Sequence, residues 1–227
     1  MTVPIWTRLR EALERQEPGV LLTVVRGEGT GAKLLALESG ERVGDETLAQ
    51  WADTAATGTI EAGDRTILAE VVGQSLRLVI FGAVDMAESL CRIARVLGWR
   101  TIVVDPRGAL ATRERVPSAD ELLARWPDDV ADLITPRTAV VSLVHEQRLD
   151  VPAVQVGLER NAWYVGALGS KRTKEKRLAA LADRGVAGVE RISGPIGLKL
   201  GAETPAEIAL AIAAEILGRY RGALDGR

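Results

Sequence analysis

The sequence predicts an α/β protein: a parallel sheet with helices on both faces, preceded by a small α/β unit. Three observations predict it. Short apolar strands alternate with helical segments from residue 76 onward, the pattern of βαβ crossovers in a parallel sheet. The preceding residues break this alternation with a glycine-rich turn, Arg26-Gly-Glu-Gly-Thr-Gly31. A length of 227 residues suits one large domain, or one medium and one small. The expected split is a small domain over 1–74 and a larger one over 75–227.

In the first segment, Ile5, Leu9, Ala12 and Leu13 recur at helical spacing over residues 5–16, and Pro18-Gly19 stops the helix. Strands are expected over 20–25, 33–37 and 66–72, with a short helix over 46–56. In the second segment, strands are expected over 76–81, 100–104, 139–144 and 163–165. Helices are expected over 84–97, 119–125, 151–160, 170–184 and 205–221. Thr204, Pro205 and Glu207 form a capping-box signature at the last helix, a structural device. No repeat or low-complexity segment interrupts the chain.

Composition narrows the function. With 47% hydrophobic and 26% charged residues, the chain is an ordinary globular protein and not a disordered one. A formal net charge of −2 argues against general nucleic-acid binding, which needs a basic surface. A single cysteine excludes an internal disulfide framework and suits a reducing compartment. One histidine and one cysteine exclude a Cys/His zinc site, so no metal ligands are assigned. The N-terminus shows no signal sequence, and the apolar run from Leu78 to Val84 is too short to cross a bilayer. A soluble cytoplasmic protein is expected.

Ligands of an open parallel sheet bind at the carboxyl ends of its strands. The first such end, Phe81-Gly-Ala-Val-Asp-Met-Ala87, lays Gly82, Val84 and Ala87 on a G-x-G-x-x-G frame. Val84 puts a side chain where a pyrophosphate needs glycine, and Asp85 adds negative charge where a phosphate needs positive potential. A plain βα turn is the other reading. Asp105 follows Gly82 at about the 20-residue interval of a ribose-binding acid, or else caps a loop. Arg107, Arg113 and Arg115 follow it, as an anion site or a surface charge run.

The third end carries His145, placed directly after a buried strand. There it can serve as acid, base or ligand to a metal centre, or be merely structural. The fourth is Gly166-Ala-Leu-Gly-Ser-Lys-Arg-Thr173. Gly169 leads into Ser170 as N-cap, and Lys171 and Arg172 occupy the first helical turn. Cations there oppose the helix dipole unless an anion occupies the helix end. A solvated basic helix end is the alternative. Cys91 borders the apolar stripe of its helix and reads as a core residue, not a reactive thiol.

Residues 78–217 resemble the Rossmann-like domain of the XdhC/CoxI family. The resemblance rests on Asp105-x-Arg107, Arg113-Glu-Arg-Val-Pro-x-Ala-Asp120, His145 with Leu149-Asp150, and Tyr164-Val-Gly-Ala-Leu-Gly-Ser-Lys-Arg172. It extends through Arg191-Ile-x-x-Pro-Ile-Gly-Leu198 and Gly201-Ala-x-Thr-Pro-Ala-Glu-Ile208. Thr23-Val-Val-Arg and Gly31-Ala-Lys33 resemble a shortened form of the family's N-terminal domain.

The resemblance implies an accessory protein that binds molybdenum cofactor (molybdopterin). It would assist sulfuration by a cysteine desulfurase and deliver the cofactor to a xanthine dehydrogenase or CO dehydrogenase type hydroxylase. It implies a chaperone and not a catalyst with turnover. The expected cofactor-binding residues are Gly82, Asp105, Arg107, His145, Gly169, Ser170, Lys171 and Arg172, with His145 also the catalytic candidate. A homodimer is the default assembly.

The chain also departs from the family. Gly82-Ala-Val-Asp85 stands where members commonly carry Gly-Ala-Gly-His, and Val144-His145-Glu146 where Thr-His-Asp is common. A cysteine of many members' N-terminal domain has no counterpart. Two other readings follow: an NAD(P)-dependent oxidoreductase, favoured by Asp105 and opposed by Val84 and Asp85, and a divergent, non-catalytic regulatory paralogue.

Overall fold

A helix, α1 (Ile5–Glu14), opens the chain, and five strands follow it: β1 (Gly19–Arg26), β2 (Lys33–Leu37), β3 (Arg42–Gly44), β4 (Gly58–Ala62) and β5 (Arg65–Val72). These form an antiparallel sheet of order β3-β2-β1-β5-β4. The computed structural model describes residues 4–15, 17–54, 57–73 and 76–224. Contacts gather into two compact units, Met1–Ser75 and Leu76–Arg227. The boundary expected at 74–75 falls on Gln74 and Ser75, which lie outside the described residues.

β1 is the centre of the first unit because both its faces are apolar. Val20, Leu22 and Val24 meet Leu34, Leu48 and Ile67 on one face. Leu21 meets Leu35 and Ala12 of α1 on the other. Leu48 comes from a 3-10 turn, Glu46–Trp51, whose start Asp45 caps by accepting from the Thr47 N–H at 3.0 Å. The helix expected over 46–56 is thus this shorter turn, and Ala55 and Ala56 lie outside the described residues. β3 and β4 were not legible in the sequence. They are edge strands of largely exposed or half-buried residues, and lack the apolar alternation that marks a strand.

The second unit holds six parallel strands: β6 (Arg77–Phe81), β7 (Arg100–Val104), β8 (Glu121–Leu123), β9 (Thr138–Ser142), β10 (Tyr164–Ala167) and β11 (Ile192–Ser193). Their order is β11-β10-β9-β6-β7-β8. The chain builds outward from β6 to β8, then returns to β9 on β6's other side. The junction of β6 and β9 is therefore the switch point of a doubly wound sheet. Four helices accompany the strands: α2 (Asp85–Val96), α3 (Gln147–Glu159), α4 (Lys171–Asp183) and α5 (Pro205–Tyr220).

Side chains alternate across the sheet. Val79, Phe81, Val140 and Val165 share one core with Val151, Val154 and Leu158 of α3 and Leu181 of α4. Leu78, Ile80 and Val141 are equally buried and point to the opposite face. There α2 lies against β7 and α5. No helix among the described residues is long and apolar enough to cross a membrane.

Residues 119–125, expected as a helix, instead contain β8. Ile102–Val104 of β7 hydrogen-bond to Glu121–Leu123, so β7's open edge outweighs the weak local helical pattern. α3 begins four residues before the expected Val151 and keeps Pro152 in its interior. Proline signals a helix start in sequence, so here it misleads. β11 has two residues, too few to carry a pattern.

Candidate functional site

The turn after β6 is built for close approach of its backbone to Val144. Gly82 has φ +111°, and a Cβ there would lie 2.7 Å from Cγ1 of Val144. Its N–H donates to Val104 O at 2.9 Å. The N–H of Ala83 donates to Asp105 Oδ2 at 3.0 Å. Asp105 is fully buried and accepts three further bonds, all from Arg107: its N–H at 3.0 Å, Nε at 2.9 Å and Nη2 at 2.8 Å. Burial opposes ionisation of Asp105. These donors outweigh it and hold the carboxyl below its ordinary range.

Arg107 Nη1 also donates to Glu146 Oε1 at 3.1 Å, and Arg148 Nε reaches Glu146 Oε2 at 2.8 Å. The loops after β7 and β9 are joined this way. Those strands flank β6 on either side. Gly82, Asp105 and Arg107 therefore do come together, but their polar groups are engaged within the protein, with Val104, Ala83, Glu146 and one another. The acceptors of Asp105 are directed at protein donors.

A different arrangement stands at the ends of β9 and β10. Asp150, in the first turn of α3, is buried. It accepts from Ser142 Oγ at 2.7 Å and pairs with Arg177 Nε of α4 at 2.6 Å. Arg177 Nη2 donates to Leu168 O at 2.7 Å, which anchors the loop entering α4. In that loop Gly169 has φ +133°, and a Cβ there would strike the Thr173 side chain at 2.8 Å. Ser170 is the N-cap, accepting from the Thr173 N–H at 3.2 Å.

Between these elements lies a cavity of about 220 Å³. His145, Gln147 and Asp150 line it from the β9–α3 side. Arg172, Thr173, Lys176 and Arg177 line it from α4. Residues 172 and 176, and 173 and 177, stand at i,i+4, so the four share one helix face. Lys171 falls outside the lining. Arg172 and Lys176 make no ion pair or side-chain hydrogen bond to any described residue. Since Arg177 neutralises Asp150, the cavity keeps an excess of positive charge.

Of the residues expected from sequence, His145 and Arg172 meet at this cavity, and Gly169 and Ser170 shape the helix start beside it. Asp150, Thr173, Lys176 and Arg177 were not singled out as ligand-facing. Their signal was partly available: the basic pair Lys171-Arg172 recurs as Lys176-Arg177, and Arg172 and Lys176 stand at i,i+4. Cys91 is buried in α2, and burial pushes its thiol up to about 12. This agrees with a core residue. Among the described residues no group of three or more His, Cys, Asp or Glu side chains could hold a metal ion.

Residues 78–216 match the sequence model of the XdhC Rossmann domain. The chain belongs to the XdhC family. A probable xanthine dehydrogenase subunit of Bacillus subtilis (strain 168) is 34% identical over 143 residues, 62% of this chain and 42% of that protein. The uncharacterized protein YqeB of Escherichia coli (strain K12) is 30% identical over 165 residues, 71% of this chain and 30% of that one. The molybdenum cofactor insertion chaperone PaoD of Escherichia coli (strain K12) is 27% identical over 143 residues, 62% of this chain and 39% of PaoD. The chain thus spans less than half the length of these relatives.

A crystal structure of a xanthine dehydrogenase from Bacillus halodurans superposes with a TM-score of 0.65 at 23% identity, covering 95% of this chain and 63% of that one. At that identity the likeness speaks for the fold. As an XdhC domain, the chain keeps the expected parallel sheet with flanking helices.

Proposed function

We propose that this XdhC-family chain is an accessory protein that binds molybdenum cofactor and passes it to a molybdenum hydroxylase of the xanthine dehydrogenase or CO dehydrogenase type. One observation carries the reading: a cation-lined cavity at the carboxyl ends of β9 and β10, the ligand-binding end of a parallel sheet and one strand from its β6–β9 switch point. The donor set suits the phosphate of molybdopterin, an anion. A relative named as a cofactor insertion chaperone and another named as part of a xanthine dehydrogenase support it.

In this reading Arg172 supplies charge to the phosphate, and Ser170 and Gly169 present the α4 N-terminus. His145 stands at the rim, where its imidazole can donate to a bound oxygen. The bound cofactor would supply the metal and sulfur chemistry, and the chain would hold and orient it. Sulfur comes from a partner, a cysteine desulfurase, because the single cysteine is a buried, protonated thiol. The chain carries cofactor and does not turn over substrate. A homodimer in the cytoplasm is the working assembly.

The NAD(P) reading is weakened by geometry. The N–H groups of Gly82 and Ala83 are already bonded within the protein, and all four bonds to Asp105 come from protein donors.

The test is purification from a host that makes the cofactor, followed by molybdenum analysis and fluorescence detection of released oxidised pterin. Reproducible pterin, lowered severalfold by Arg172→Glu, is expected. Pterin absent even after incubation with free cofactor overturns the reading in favour of a regulatory paralogue.

A further inference from the structure

We propose that the cavity between α3 and α4 is a pocket for a phosphomonoester dianion, bound by Arg172, Lys176 and Thr173, and that Lys171 takes no part. The proposal deepens the cofactor reading and rests on it for the origin of the phosphate.

Size comes first. A pocket of about 220 Å³ is smaller than the roughly 300–1,000 Å³ of whole-ligand sites. It exceeds the roughly 30 Å³ that one water occupies in the liquid. It suits a headgroup with a few waters, the rest of the ligand lying outside.

Charge comes second. Arg172 and Lys176 stand one turn apart on the cavity face, with no ionic partner among the described residues. Both are exposed, and two unpaired cations match a dianion better than the single charge of a diester. Thr173, between them in sequence, offers a hydroxyl at the same wall. Its Oγ1 lies 3.1 Å from Ser170 Oγ, so the N-cap also holds this hydroxyl in place.

The floor comes third. Asp150 would repel an anion if it were unpaired. Both its oxygens are engaged, by Ser142 and by Arg177. Arg177 is 2% exposed and Asp150 3%, so the pair forms a buried back wall. A diester must leave a phosphate in two directions, and this wall closes one of them. A monoester needs one exit.

The experiment is calorimetric titration of the full chain with phenyl phosphate, inorganic phosphate and dimethyl phosphate. Wild type should bind the first two and not the diester. Lys176→Ala, Lys176→Glu and Arg172→Glu should each weaken phenyl phosphate by about tenfold or more, the scale of a lost charge-assisted bond. Lys171→Glu should change it by about twofold at most, the residue of screened long-range charge. Equal losses from Lys171→Glu and Lys176→Glu, equal binding of the diester, or no phosphate binding by wild type would overturn the pocket.

Pterin measured on the same proteins separates this inference from the cofactor reading. Pterin retained in full by Lys176→Glu removes the pocket and leaves the chaperone. Phosphate binding that needs Lys176, in a wild type that never yields pterin, removes the chaperone and leaves the pocket.

Discussion

Asp105 shows how one residue can carry the expected place and a different task. Its position after β7 matches a ribose-binding acid, yet its oxygens hold the β6 turn through Ala83 and the β7 loop through Arg107. Its lowered pKa makes it a source of acid sensitivity. A carboxylate whose folded pKa lies below its unfolded value of about 3.9 stabilises the fold above that value. The contribution is lost as pH falls through the folded pKa. Urea denaturation from pH 7 down to pH 3 should therefore show stability falling below about pH 4, with a shallower fall in Asp105→Asn. Parallel curves for the two proteins would show that Asp105 does not couple to folding. Glu215 plays a comparable part in the Pro195-Ile-Gly-Leu198 segment. It accepts from the Gly197 N–H at 2.6 Å, from Tyr164 Oη at 3.1 Å and from Ser193. Burial, with the facing Glu215 charge, holds the Tyr164 phenol well above its ordinary range, so it stays a donor.

At the scale of elements, α4 and α5 begin in opposite ways. α5 has its capping box complete, with Thr204 Oγ1 accepting from Glu207 and Glu207 Oε2 accepting from Thr204. Glu207 then complements the helix dipole. α4 has a capping serine but no acid in its first turn, and carries Lys171 and Arg172 there instead. Each such cation costs about 0.3–1 kcal/mol by the dipole alone. Arg172→Glu should therefore raise the denaturation midpoint of the ligand-free chain while lowering anion affinity. A lowered midpoint with unchanged anion affinity would mean that Arg172 serves the fold and not a ligand. The capping signals of both helices were legible in sequence, since they lie within four residues. The cavity-facing surface of α4 was half legible: Arg172 stood out beside Ser170, while Lys176 and Arg177 needed the helix turn to bring them round.

For the whole molecule, the two units differ in plan. The first is an antiparallel sheet of order β3-β2-β1-β5-β4, the second a parallel sheet of six strands. We propose that they are separate domains, with each burying its own core: Leu22, Leu48 and Ile67 in the first, Val79, Val140 and Val154 in the second. A fragment of residues 76–227 should then unfold as one cooperative transition in denaturant. A fragment that shows no transition would make the first unit part of the second one's fold. Parallel topology in the second unit was legible because its inner strands are apolar on both faces, as buried parallel strands must be. β8 and β11 were not, because edge strands of two or three residues exist only where a neighbour offers its open edge.

Sequence alone determined the alternation of strand and helix, the helix caps and the core role of Cys91. These depend on neighbours a few residues apart, whose spacing the chain states directly. Tertiary structure decided which loops meet. It engaged Asp105 with Ala83 and Arg107 with Glu146, placed Lys171 outside the cavity, and set His145 opposite Arg172 and Lys176. Such pairings join residues distant in sequence, through strand order and helix rotation. No local pattern encodes that distance, because it arises only when the sheet closes its register and the helices settle on its faces.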